Sequence, residues 1–304
     1  MKCAFIGTPD FSVPSFERII NSDHSVEFVF TSPDKPKNRG KKILPPPVKK
    51  FALSRNVKVY QDVKLFKKYG ELFENIDIGI VVASFFFIPK WLLNIPKYGF
   101  INLHPSLLPK YRGASPIAFS LLNGDKKTGV SIIRLTNKMD AGPILLQKEI
   151  EILPEDTKGT LEERLSVYGA NMLVECMHLL EKGLIKPVLQ DEKIATYTRK
   201  LEKNDAKLDF NKDSITLENE VRAFHPWPGS FLSVDGKKFK IKKAFSIKGE
   251  SDLPNGRIFK RDGVIAVNCE KGALAILRIQ PESKKECNID DLCRGYDFIG
   301  KDAE

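Results

Sequence analysis

The apolar run Ile78-Gly79-Ile80-Val81-Val82-Ala83 constrains the fold of this chain more than any other segment. No polar residue interrupts it, so a strand built from it is covered on both faces, as at the centre of a parallel sheet. Strand and helix signals alternate around it. Residues 2–6, 26–31, 57–60, 99–103, 130–135 and 144–150 read as further strands. Residues 15–20, 47–54, 115–122 and 160–181 carry apolar positions at helical spacing. A βαβα order of this kind predicts an α/β fold, a Rossmann-like, doubly wound and mostly parallel sheet.

The pattern changes after residue 186. Residues 187–205 are polar and read as a linker. From 206 to 304 short strand signals dominate, with Asp235-Gly236 and Asp262-Gly263 as hairpin turns. The expectation is a catalytic domain over 1–186, a linker over 187–205, and a small all-β, OB-like barrel over 206–304.

Several chemistries find no pattern to support them. The turn after the first strand, Gly7-Thr8-Pro9-Asp10, holds one glycine, which argues against a dinucleotide fingerprint. The five cysteines are scattered and include no Cys-x-x-Cys pair, so neither a disulfide framework nor a zinc site is expected. The four histidines show no ligand spacing, and no metal is expected. Ser106 lacks the Gly-x-Ser-x-Gly surroundings of an elbow nucleophile. No apolar run reaches the roughly 20 residues of a membrane span, and no signal-peptide pattern opens the chain. A cytoplasmic protein without a membrane partner is the expectation.

Chemistry concentrates where the strand over 99–103 ends. Asn102 and His104 are two residues apart, so an extended strand points both side chains to one side. An amide and an imidazolium together can hold an oxygen that gains negative charge. An ordinary imidazole titrates near about 6.5, and a carboxylate partner favours its cation. Asp140, in the turn Asn137-Lys138-Met139-Asp140-Ala141-Gly142-Pro143 between two predicted strands, is the candidate. Loops at the carboxyl ends of such a sheet gather around ligands.

The net charge of +10 favours a polyanionic partner. Between residues 34 and 50, Lys35, Lys37, Arg39, Lys41 and Lys42 crowd a loop that Pro36 and Gly40 are expected to keep irregular. A second group, Lys237, Lys238, Lys240, Lys242 and Lys243, follows the Asp235-Gly236 turn. Small β-barrels commonly bind oligonucleotides, and two basic surfaces suit an extended nucleic acid.

Taken together these residues resemble the methionyl-tRNA formyltransferases over nearly the whole chain. The matching pieces are Gly7-Thr8-Pro9-Asp10-Phe11, Arg39-Gly40-Lys41-Lys42 with Pro45 to Lys49, Asn102-x-His104 with Ser106-Leu107-Leu108-Pro109 and Arg112-Gly113, Asp140-Ala141-Gly142, and Ala223-Phe224-His225-Pro226-Trp227-Pro228. After Val81-Val82-Ala83 the family usually shows Tyr-Gly, where this chain has Ser84-Phe85-Phe86-Phe87. The resemblance implies 10-formyltetrahydrofolate as donor and initiator methionyl-tRNA as acceptor, with Asn102, His104 and Asp140 as the catalytic set. It implies that Ser106, Leu107, Leu108 and Pro109 meet the folate. It further implies that Lys35, Lys37, Arg39, Lys41 and Lys42 reach the acceptor arm, and that the barrel, with Lys237, Lys238 and Lys240, holds the tRNA. A monomer is expected. Other readings stay open at this point: a formyltransferase acting on a nucleotide sugar or purine precursor, a hydrolase releasing formate, or a noncatalytic RNA-binding protein.

Overall fold

The first two-thirds of the chain alternates strands and helices in the computed structural model, as the apolar periodicity requires. The elements are β1 (Lys2–Gly7), α1 (Val13–Ile20), β2 (Ser25–Phe30), β3 (Lys35–Lys37), β4 (Lys42–Leu44), α2 (Pro47–Ser54), β5 (Lys58–Tyr60), β6 (Ile78–Val82), β7 (Phe100–His104), β8 (Arg112–Gly113), α3 (Pro116–Leu122), β9 (Lys127–Arg134), β10 (Ile144–Glu151), α4 (Lys158–Glu181) and β11 (Tyr197–Thr198). The structure describes residues 1–37, 42–62, 70–84, 86–249 and 251–304, with Lys37 and Lys42 by their backbone alone.

Seven strands form one sheet in the order β10-β9-β7-β6-β1-β2-β5. The pairs β5 with β2, β2 with β1, β1 with β6 and β6 with β7 are parallel, and β9 turns antiparallel to β7. Every residue of β6 is buried, as a central strand covered on both faces requires. One face carries Ala4, Ile6, Phe28, Phe30, Val81 and Phe100 in a single apolar cluster. Gly79 explains how Phe100 fits there: a Cβ at residue 79 would lie 2.1 Å from the Phe100 ring. A glycine in mid-strand usually marks such a close approach. On the other face, Leu103 of β7 packs tightly on Gly169 of α4. Alternation along the strand therefore turns Asn102 and His104 away from α4. Strand order reverses between β1 and β6, so the carboxyl ends of β1, β6 and β7 border the crevice where such sheets bind ligands.

The basic stretch differs from its expected irregular loop. Residues 35–37 and 42–44 pair as an antiparallel hairpin, with Lys35 opposite Leu44 and Lys37 opposite Lys42. Pro36 is tolerated because a two-stranded ribbon has a free edge where no N–H is needed. Residues 38–41, with Arg39 and Lys41, lie outside the described residues.

A second group of elements is mainly β: α5 (Ser214–Ala223), β12 (Phe231–Val234), β13 (Lys237–Ile247), β14 (Ile258–Arg261), β15 (Val264–Asn268), β16 (Ala273–Pro281), β17 (Cys287–Asn288) and α6 (Ile289–Cys293). The strands form a curled antiparallel sheet in the order β12-β13-β16-β15-β14, with β17 on β16. Both expected turns are present. Asp235 and Gly236 have φ of 49° and 72°, and Asp262 and Gly263 have 51° and 79°. Positive φ at both central residues matches the twist of paired strands. Leu232, Val234, Phe239, Ile241, Leu274 and Ile276 build the core of this unit. Trp227, in the proline-flanked turn before β12, is 46% exposed.

The compact units do not follow the boundaries read from sequence. One comprises Met1–Gly113, Thr128–Glu151 and Glu162–Thr198, and the other Ala114–Lys127, Ile152–Leu161 and Arg199–Glu304. Helix α3 packs on α5 and so belongs with the second unit. Residues 187–198, read as linker, belong to the first, because β11 pairs in parallel with β8. Among the described residues no helix is long and apolar enough to cross a membrane.

Candidate active site

His104 closes β7, and the chain then folds back on it. The ring is 4% exposed. Its Nε2 lies 2.9 Å from the carbonyl oxygen of Tyr111. A carbonyl can only accept, so Nε2 carries a hydrogen and donates it. Tyr111 itself has φ of 63°, a left-handed conformation that costs a non-glycine residue about 1–2 kcal/mol. Its N–H donates to the Thr196 hydroxyl at 2.8 Å. Strain held in place by such bonds is typical of functional sites.

With Nε2 engaged, Nδ1 is the nitrogen open to chemistry. Asp140 Oδ2 stands 3.7 Å from it, within ion-pair distance of a protonated ring but too long for a direct hydrogen bond. Asp140 is also left-handed, with φ of 48°. The Gly113 N–H donates to this same Oδ2 at 2.9 Å and helps fix the carboxylate. Gly113 has φ of 108°, and a Cβ there would lie 2.5 Å from the Thr198 carbonyl oxygen. Only glycine brings the backbone N–H to Asp140 without strain.

Asn102 shares the strand face with His104 and is half-buried. Its amide has no hydrogen-bond partner among the described residues, which leaves both N–H groups free for a ligand. The structure thus brings Asp140 to His104, and Asn102 lies two residues before His104 on the same face of β7.

The segment from Ser106 to Pro109 is clamped. The Ser106 hydroxyl donates to the Lys110 carbonyl at 2.6 Å. Ser131 of β9 donates to the Ser106 carbonyl at 2.6 Å and accepts from the Leu108 N–H at 3.1 Å. Gln147 of β10 donates to the Leu108 carbonyl at 2.9 Å. Ser106 and Leu108 are buried, so the half-buried Leu107 and Pro109 are the members that can meet a ligand. At the end of β6, Phe86 packs against the core while Phe87 is 73% exposed.

Around Asp140 lies a set of side chains that the sequence reading did not assign. Arg112 is 1% exposed. Its Nε and one terminal nitrogen donate to Gln190 Oε1 at 3.0 and 2.9 Å. Its two terminal nitrogens reach the Glu192 carboxylate at 2.9 and 3.0 Å, and one also reaches the Tyr197 hydroxyl at 3.1 Å. These bonds hold the Glu192 carboxyl below its usual range and raise the Arg112 guanidinium. Gln190 in turn donates to the carbonyls of Asp140 and Gly142, both at 2.8 Å. Gln190 hid in a polar stretch, and its only sequence signal is the short Tyr197-Thr198 strand that follows.

The basic residues fall into two groups. Lys49 is paired internally: its Nζ lies 2.8 Å from both Asp34 oxygens and 2.7 Å from Gln61 Oε1. Lys49, and then Gln61, hold the Asp34 carboxyl below the usual carboxylate range. Asp34, next to β3, is thereby paired internally with Lys49. Lys35 is exposed. On β13, Lys237, Lys238 and Lys240 are exposed, with Lys238 over the Phe231 ring at 3.2 Å and Lys237 over Tyr296 at 5.7 Å.

Two family models match the chain in tandem. "Formyl transferase" matches residues 1–177 and "Formyl transferase, C-terminal domain" matches residues 200–297. A methionyl-tRNA formyltransferase of Dictyoglomus thermophilum is 43% identical over 306 residues, which cover 97% of each chain. Another, of Thermodesulfovibrio yellowstonii, is 43% identical over 296 residues, covering 96% of this chain and 94% of the relative. Among solved structures, an N-formyltransferase from Helicobacter canadensis, in complex with folinic acid and dTDP-3-aminofucose, matches with a TM-score of 0.69. It is 20% identical and covers 91% of this chain and 98% of its own, so that likeness bears on the fold alone.

Proposed function

The chain belongs to the methionyl-tRNA formyltransferase family, and from that premise we propose which of its residues carry out the transfer. The protein is a folate-dependent formyltransferase that moves a formyl group onto methionyl-tRNA. The donor is 10-formyltetrahydrofolate, which when bound supplies an electrophilic formyl carbon on nitrogen. The acceptor is the α-amine of methionyl initiator tRNA, a cytoplasmic substrate. The observation that carries this reading is the His104 ring: Nε2 is engaged by Tyr111, Nδ1 faces Asp140, and an unpartnered Asn102 amide lies on the same strand face.

That donor set fits a formyl group. An acyl oxygen that gains charge during attack needs N–H groups free of other duties. Asn102 donates one from its amide. His104, protonated at Nδ1, donates a second and adds positive charge. The Asp140 carboxylate stabilises that charge electrostatically and receives, through a water, the proton lost by the attacking amine. Nδ1 then delivers its proton to the departing nitrogen, and Asp140 returns one to Nδ1 through a water, the two groups standing 3.7 Å apart. Each residue ends as it began. Leu107 and Pro109 line the donor side, on a loop that Ser131 and Gln147 hold rigid.

Lys35, Lys37, Arg39, Lys41 and Lys42 of the basic stretch, with Lys237, Lys238 and Lys240 of β13, bind tRNA phosphates. Each phosphate contact contributes about 0.7–0.9 to the slope of log affinity against log salt, so replacing Arg39, Lys41 and Lys42 by Ala is expected to flatten that slope by about 2–3. The turnover number at saturating tRNA should hold. An unchanged slope in filter binding at several salt concentrations removes the basic stretch from the interface.

Transfer of labelled formyl from 10-formyltetrahydrofolate tests the function. Methionyl initiator tRNA is expected to be labelled well above elongator methionyl-tRNA. Formate release in the absence of tRNA, or tRNA binding without any labelling, overturns the reading in favour of a hydrolase or a binding protein.

A further inference from the structure

Arg112 has five N–H donors, and all five are taken by Gln190, Glu192 and Tyr197. Being 1% exposed and fully engaged, it offers nothing to a substrate. Gln190 is equally saturated. Its oxygen accepts twice from Arg112, and its amide nitrogen donates to the carbonyls of Asp140 and Gly142. The amide has one orientation only, since a flipped side chain would set N–H against guanidinium and oxygen against two carbonyls. What the pair holds is a backbone that would not hold itself. Asp140 is a non-glycine residue at φ of 48°, and such conformations persist when their surroundings over-determine them.

We propose that Arg112 and Gln190 are positioning residues of the formyl-transfer reaction. Arg112 locks the Gln190 amide. Gln190 pins the carbonyls of Asp140 and Gly142, and the pinned turn aims the Asp140 carboxylate at His104 Nδ1. Glu192 supplies the counter-charge that lets a guanidinium be buried at this place. The inference rests on the catalytic assignment of Asp140 and His104 made above.

The test is a kinetic double-mutant cycle on the full chain, with methionyl-tRNA and 10-formyltetrahydrofolate as substrates. Gln190→Met keeps the length of the side chain and removes all four bonds. It is expected to lower kcat by about 10- to 100-fold, the scale of a small misplacement of a reacting group. The KM for methionyl-tRNA should stay within about twofold, because no ground-state contact is lost. In an Asp140→Asn background the same change should cost nothing further, since residues acting as a unit are not additive. Gln190→Glu still accepts from Arg112 but turns oxygen on the two carbonyls, and should lose at least as much. Arg112→Lys keeps the charge without the fork and should match Gln190→Met. Wild-type kcat in both Gln190 variants overturns the proposal, as does an equal loss in both backgrounds, which marks a general structural role. Wild-type kcat in Asp140→Asn alone overturns the underlying assignment instead, so the two failures are distinguishable.

Discussion

Replacing His104 by Ala is expected to lower kcat by about 10²- to 10³-fold, the cost of losing one preorganised donor to a developing oxyanion. Methionyl-tRNA affinity should change by less than about twofold, because the ring meets the reacting centre and not the tRNA body. The variant also loses stability. Nε2 donates to the Tyr111 carbonyl inside the protein, and an orphaned buried acceptor costs about 1–3 kcal/mol. His104→Gln separates the two effects. Its amide can reach the Tyr111 carbonyl and recover part of the melting temperature, but it places no cation at the Nδ1 position. Thermal melts alongside single-turnover kinetics should therefore show stability restored and turnover still lost. Near-normal single-turnover rates in His104→Ala would remove the ring from the chemistry.

Gly113→Ala should damage the site through a single added methyl group. A side chain at φ of 108° is strained in any surroundings, by about 1–2 kcal/mol or more. The new Cβ would also meet the Thr198 carbonyl at 2.5 Å, an overpacking of about 1–3 kcal/mol. The backbone can escape only by moving, and the Gly113 N–H that caps Asp140 Oδ2 moves with it. Stability and kcat should fall together, the latter by about 10-fold or more. Urea melts and initial rates measure both. A variant that melts like the wild type and turns over normally would show that β8 tolerates a side chain here.

Much of this was legible in the sequence, for identifiable reasons. The run from Ile78 to Val82 could only be a strand with two covered faces, and it is the middle of the sheet. Asp235-Gly236 and Asp262-Gly263 encode their turns locally through residues that accept positive φ. Asn102 and His104 share a face because alternation along a strand is fixed. Other features are set by tertiary contacts, which one-dimensional patterns do not carry. The pairing of 35–37 with 42–44 escaped because Pro36 reads as a breaker, whereas a two-stranded ribbon tolerates a proline on its free edge. Tyr111 acts through its backbone carbonyl, so its residue type says little about its role. Gln190 sits among polar residues with no periodicity, and its meaning comes from Arg112, which is 78 positions away.

That separation has a consequence for how the protein comes into being. The parallel pairing of β8 with β11 joins Arg112 to Tyr197 and Gly113 to Thr198, and the Asp140 turn waits for Gln190. Closing long loops is entropically slow and precedes any reward from the contacts they bring. On a ribosome, β1 to β7 emerge and can begin to pair while the partners of Arg112 are still untranslated. Every strand of the seven-stranded sheet is therefore synthesised before Gln190, and the bonds from Gln190 to the Asp140 turn can form only afterwards. A nascent chain stalled before residue 190 would hold Asn102, His104 and Asp140 without the bonds that Gln190 gives the Asp140 turn.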